Sequence, residues 1–129
     1  MYFHIDPKKN VPLYEQIIQQ VKEMVAKGIL QPGEKLPSVR ELSSRIVINP
    51  NTVSKAYQEL ERQEVIVTIR GRGTFINEDV IQAKDPKKTE AIRQTLKQTV
   101  IDSHYAGIDK KTIMEWVEEF DRELRGDRE

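Results

Sequence analysis

Two helix-start signals stand almost back to back in the middle of this chain, and together they leave few folds open. Ser38-Val39-Arg40-Glu41 is a capping box: the serine oxygen accepts a backbone N–H one turn on, and the glutamate reaches back to the serine's own N–H. Asn49-Pro50 follows, an N-cap residue with proline at the first helical position, where a missing N–H costs nothing. The helix between them must be short, with Val39, Leu42 and Ile46 inward, and Val47-Ile48 must carry the whole change of direction. A short helix, a sharp turn and a second helix predict a helix-turn-helix.

The flanks fit that unit. Val11-Pro12 announces a preceding helix in which Leu13, Ile17, Val21, Met24 and Val25 share one face, and Lys27-Gly28 ends it. Gln31 to Lys35 reads as a turn leading to Leu36-Pro37. In the helix opened by Asn49, the residues Val53, Ala56, Tyr57 and Leu60 face inward, leaving Asn51, Thr52, Lys55 and Gln58 outward. Val65 to Ile69 is β-rich, Arg70-Gly71-Arg72-Gly73 is a turn, and Thr74-Phe75-Ile76 is a matching strand, which makes a hairpin with a basic tip.

After Asn77 core signals lapse until Asp85-Pro86, which starts a helix bearing Ile92, Leu96 and Val100 on one face and ending near Gly107. Asp109 caps a last helix with Ile113, Val117, Phe120 and Leu124 as a seam, joined by Trp116 and Met114. Two helices of this size cannot hold a core alone, so these residues read as the interface of a dimerisation hairpin rather than as a ligand pocket. The expected fold is α+β: an N-terminal winged helix-turn-helix of three helices and a β-hairpin wing over residues 1–78, and a helical dimerisation tail over 79–129.

Charge and composition narrow the function. The 21 basic and 21 acidic residues cancel, yet their distribution is uneven. Lys35 to Phe75 holds seven basic residues against four acidic, net +3, and Asp109 to Glu129 holds five against eight, net −3. A positive middle suits a polyanion. With no cysteine and with His4 and His104 far apart as surface residues, neither a metal site nor thiol chemistry is expected. No set of nucleophile, base and orienter stands out, so neither enzymatic activity nor a cofactor is expected. No apolar run approaches a membrane span and the Met1 end lacks a signal-peptide pattern, so a cytoplasmic location is expected.

The outward side chains suit double-stranded DNA. Asn51 can pair bidentately with adenine, Thr52 can offer its hydroxyl to a base or its methyl to thymine, and Lys55 can neutralise a phosphate. Arg40, at the start of the preceding helix, can reach a phosphate or a guanine edge. At the wing, Gly71 and Gly73 permit close backbone approach, and Arg70 and Arg72 suit the negative potential of a narrow minor groove.

Pro12-Leu13-Tyr14-Glu15-Gln16-Ile17, the run from Pro32 to Leu42, Asn49-Pro50-Asn51-Thr52-Val53, Ala56-Tyr57 and the run from Arg70 to Phe75 together resemble the GntR family over about residues 11 to 76. The two-helix tail resembles the family's short YtrA-like subfamily, by length and pattern, rather than branches with a large ligand-binding or aminotransferase-like domain. The resemblance implies a homodimeric regulator, often a repressor of its own operon and commonly near ABC-transporter genes. It implies DNA contacts at Arg40, Pro50, Asn51, Thr52 and the wing from Arg70 to Gly73. Two residues depart from the family pattern. Val47 stands in the turn where glycine or a small residue is usual, and a β-branched side chain is costly there if the turn needs positive φ. Glu64 stands where glycine usually follows the recognition helix.

Structural roles compete with these functional ones. Ser38 and Glu41 serve first as a cap; Asn49 and Pro50 serve helix initiation as much as DNA contact; Tyr57 packs; Lys55 can be simply solvated; Gly71 and Gly73 suit any tight hairpin. The rival function is a winged-helix module that binds DNA without sequence preference, or binds a protein. A small-molecule effector, if one exists, would need a site between subunits, since the tail leaves little room within one.

Overall fold

The computed structural model describes residues 3–80 and 85–126. The chain divides into two compact units, Met1–Val80 and Ile81–Glu129. The first contains α1 (Leu13–Ala26), β1 (Lys35–Leu36), α2 (Val39–Ile46), α3 (Pro50–Arg62), β2 (Ile66–Ile69) and β3 (Gly73–Ile76); the second contains α4 (Pro86–Tyr105) and α5 (Lys110–Arg125). This is a winged helix-turn-helix followed by C-terminal helices.

α1 and α2 both pack on α3, and β2 runs directly off α3, so one core forms where the three helices meet the sheet. Ile17 and Val21 of α1, Leu42 of α2, Val53 and Leu60 of α3 and Ile76 of β3 are fully buried in it. Pro12 is the N-cap of α1 rather than its first helical residue, because its extended ψ of 145° still lets its carbonyl accept the Gln16 N–H at 3.1 Å. Both halves of the Ser38 capping box are present: Glu41 N–H donates to Ser38 Oγ at 3.1 Å and Ser38 N–H to Glu41 Oε1 at 3.3 Å.

The sheet is antiparallel in the order β1-β3-β2. Gln31 to Lys35, expected as a turn, ends in β1, whose Lys35 and Leu36 pair with Phe75 and Thr74. Gly33 N–H donates to the Ile76 carbonyl and Ile76 N–H to the Glu34 carbonyl, both at 2.8 Å, which extends this zipper past the strand itself. The N-terminal residues also belong to the domain. Gln16, only 5% exposed, donates from Nε2 to the carbonyls of Asp6 and Val11 and accepts the Asp6 N–H, while Gln20 brackets His4 in the same two-way manner. These bonds hold the chain along α1, where Phe3 and Ile5 pack against the core.

Four helices end in the same way. In α1, α2, α3 and α4 the residue after the last turn takes a left-handed conformation, and the next N–H closes on a carbonyl five residues back: Ile29 to Met24, Ile48 to Ser43, Val65 to Leu60 and Ile108 to Ser103, at 2.8 to 3.0 Å. This is a Schellman ending, and glycine fits its left-handed position. Gly28 and Gly107 occupy it in α1 and α4. In α2 and α3 it falls to Val47 (φ 54°) and Glu64 (φ 63°), so positive φ is indeed what the two departures from the family pattern must adopt.

In the tail, Asp85 Oδ1 accepts the Lys87 N–H and Asp109 Oδ1 the Thr112 N–H, both at 2.9 Å, so each helix has its own N-cap. Among the described residues of these helices only Ser103 is buried, and α4 and α5 do not pack side by side. The sequence reads as a dimerisation hairpin that holds no core alone, and in the structure the helices on either side of Gly107 each keep an apolar stripe open. Ile92, Leu96 and Val100 on α4, and Trp116, Val117, Phe120 and Leu124 on α5, are exposed, with Ile113 half-buried.

Candidate nucleic-acid interface

The exposed side of α3 begins at its cap. Asn49 Oδ1 accepts the Asn51 N–H at 2.8 Å, which assigns Asn49 to helix initiation and leaves Pro50 and the Asn51 side chain on the surface. Asn51, Lys55 and Gln58 recur at helical spacing along this exposed stripe. Thr52, expected outward, is half-buried: it lies one helical turn before buried Ala56 and so at the border of the packed face. Tyr57 packs, as its place on the inner face requires, and its hydroxyl donates to the Pro37 carbonyl at 2.8 Å. Burial pushes that phenol's pKa well above its usual range.

Arg40 sits in the first turn of α2, fixed in register by the capping box immediately before it. Its side chain is exposed, as is that of Arg45 in the last turn of the same helix. The turn between α2 and α3 carries Val47, which is 87% exposed.

At the wing, Arg72 N–H donates to the Ile69 carbonyl at 2.9 Å and closes a tight turn with Arg70 and Gly71 between them. Gly71 (φ 82°) takes the third position, where a type II turn needs positive φ, and a Cβ there would meet open space. Gly73 differs, because a Cβ there would stand 2.9 Å from Lys35 Cε; the lysine stem crosses the wing's base where a side chain would otherwise be. Arg70 and Arg72 are exposed at the tip. Among the described residues, the guanidinium groups of Arg40, Arg70 and Arg72 make no hydrogen bond or ion pair, so no carboxylate neutralises them.

Lys55 is not simply solvated. Its Nζ lies over the ring of Tyr14 on α1, 3.9 Å from the centroid. The sequence did not mark Tyr14 as part of any surface site, because the pair spans two helices and no spacing rule links them.

A short helix, a sharp turn, a helix with an exposed polar start and an arginine-tipped hairpin define the DNA-binding class of winged helix-turn-helix proteins. A family model described as bacterial regulatory proteins, gntR family, matches residues 13–76. The HTH-type transcriptional repressor YtrA of Bacillus subtilis (strain 168) is 52% identical over 122 residues, spanning 95% of this chain and 94% of that protein. A crystal structure of a transcriptional antiterminator from Listeria monocytogenes EGD-e matches with a TM-score of 0.92 at 49% identity, covering 98% of this chain and 94% of the other. YtrA from Sulfolobus acidocaldarius, a GntR-family transcription factor, matches with a TM-score of 0.56 at 31% identity, covering 96% and 100%. The chain belongs to the GntR family of bacterial transcriptional regulators, among its YtrA-like members. Among the described residues, no helix is long and apolar enough to cross a membrane.

Proposed function

We propose that this regulator is a homodimeric repressor that reads a palindromic DNA operator. The observation that carries the reading is the convergence on one domain of unneutralised arginines at two places, the start of α2 and the wing tip, with an exposed amide at the start of α3. In this reading α3 enters the major groove with Asn51 against a base edge and Pro50 and Thr52 beside it. Arg40 and Lys55 take phosphates or, for Arg40, a guanine edge, and Arg70 to Gly73 follow the minor groove.

The dimer is proposed from the tail. Ile92, Leu96 and Val100 together with Trp116, Val117, Phe120 and Leu124 are exposed, and Ile113 is partly so, too many large apolar groups on capped helices to leave in water. A second copy covers both stripes with matching stripes of its own. Two-fold symmetry then sets two half-sites about one helical turn, roughly 10 base pairs, or a multiple, apart. The placement of short-tailed family members near ABC-transporter genes makes such an operon the first target to search.

Selection of bound duplexes from a randomised pool at about 150 mM salt, where loose electrostatic binding is suppressed, tests the reading. The expected result is an enriched palindrome. Recovery of unenriched DNA by the folded protein would replace this reading with non-specific binding, and a monomer at micromolar concentration would remove the dimer.

A further inference from the structure

We propose that Tyr14, on α1, is a positioning residue of the DNA interface: its ring holds the Lys55 ammonium in place to take one backbone phosphate. The inference rests on the reading of Lys55 as a DNA contact and adds a residue from outside the helix-turn-helix.

The geometry begins with a groove between α1 and α3, about 670 Å³ in volume, lined by Tyr14, Glu15, Lys55, Glu59 and Arg62 among others. Lys55 has an obvious alternative partner in Glu59, one helical turn further on, because a lysine and a glutamate at that spacing pair readily. In this structure Glu59 is engaged elsewhere. It accepts Arg62 Nε at 2.7 and 3.1 Å, Arg62 Nη2, and Gln63 Nε2 at 3.1 Å. Those bonds and the Arg62 charge hold its carboxyl down to about 2. The other carboxylate of the groove, Glu15, accepts the Tyr14 hydroxyl at 3.3 Å. Lys55 therefore rests on a neutral ring while both nearby carboxylates have other donors.

The negative face of an aromatic ring attracts a cation without neutralising it. A free lysine at the surface samples many rotamers and must surrender them on binding DNA. One already seated on a ring has less freedom to lose, and its ammonium can carry a phosphate on the side away from the ring. Tyr14 is itself half-buried against the core, so the platform is fixed by the fold. Lys55 stands one turn beyond Asn51 on the same exposed stripe, which places the phosphate beside the bases that Asn51 would read.

The test measures affinity of the full-length protein for its selected operator across a salt series, for Lys55→Met, Tyr14→Leu, Tyr14→Phe and the Lys55→Met/Tyr14→Leu double variant, with the unfolding midpoint of each recorded. Lys55→Met is expected to weaken every sequence alike and to reduce the slope of log affinity against log salt by about 0.9, the loss of one phosphate contact. Tyr14→Leu should lower both affinity and slope, Tyr14→Phe, which keeps the ring but releases Glu15, should lie between Tyr14→Leu and the wild type, and the double variant should be no worse than Lys55→Met alone. The slope and the non-additivity separate positioning from a loss of fold, which moves neither in this pattern. A Tyr14→Leu protein with wild-type slope, or effects of the two substitutions that simply add, would overturn the role of Tyr14. An unchanged slope in Lys55→Met, with Asn51→Ala still impaired, would remove Lys55 and leave the DNA reading standing. Failure of the wild type to select any operator would remove that reading itself.

Discussion

The winged domain and the tail are written with the same kind of pattern and reach opposite ends. In both, apolar residues recur at helical spacing behind a well-formed N-cap. In the first unit α1, α2 and the sheet converge on α3, and Ile17, Leu42, Val53 and Leu60 vanish from solvent. In the second, Phe120 remains 55% exposed and Ile92 70% exposed. Periodicity thus states which face of a helix seeks cover but not what provides it. A capped helix is specified locally by its ends, whereas burial needs a second surface.

The sharpest way to break the comparison is to substitute one buried apolar residue of the first unit and one exposed apolar residue of the second. Leu60→Ala is expected to cost about 2 to 5 kcal/mol in urea unfolding, since it opens a cavity at the junction of α3 and the sheet, and the loss should not depend on protein concentration. Phe120→Asp should act differently. It is expected to shift dimer to monomer in sedimentation, costing about 2 kcal/mol or more of association, while the winged domain keeps its unfolding midpoint in a concentrated sample. Equal behaviour of the two variants on dilution would mean that the tail is no interface.

Smaller effects test how locally the helices are specified. Ser38→Ala should cost about 1 kcal/mol, because it leaves the Glu41 N–H without its acceptor at the start of α2. Val47→Gly should do the reverse. A β-branched residue in the left-handed region costs roughly 1 to 2 kcal/mol, and glycine gives back about 0.5 to 1 through the freedom of the unfolded chain. The net expectation is a stabilisation of about 0.5 kcal/mol in urea unfolding. A loss of stability on that substitution would show that the exposed Val47 side chain makes contacts that outweigh its backbone strain.

Much of this fold was legible because its signals are local. The capping box at Ser38, the Asn49-Pro50 start and the glycines of the wing each act within a few residues of themselves. What stayed hidden depends on partners distant in sequence. β1 is two residues long, too short to alternate, and exists only because β3 lies alongside. Gln16 and Gln20 look like solvent-facing polar residues of α1 until the N-terminal strand of chain is laid across them. For the candidate interface, helical phase was enough to put Asn51 and Lys55 on the surface, and it misjudged Thr52 only because that residue sits on the boundary of the buried face. The seating of Lys55 on Tyr14 could not be read, since it joins α1 to α3 through a contact that no periodicity encodes.

The bracket that Gln16 places around Asp6 has a kinetic consequence. Asp6 belongs to no helix or strand, and an amide in such a segment ordinarily exchanges its hydrogen with water as fast as the segment frays. Here that amide is held by a side chain rooted in the buried face of α1, 2.9 Å away. Its exchange must wait until the bracket opens, so an irregular stretch of chain acquires the slow clock of the helix it lies on.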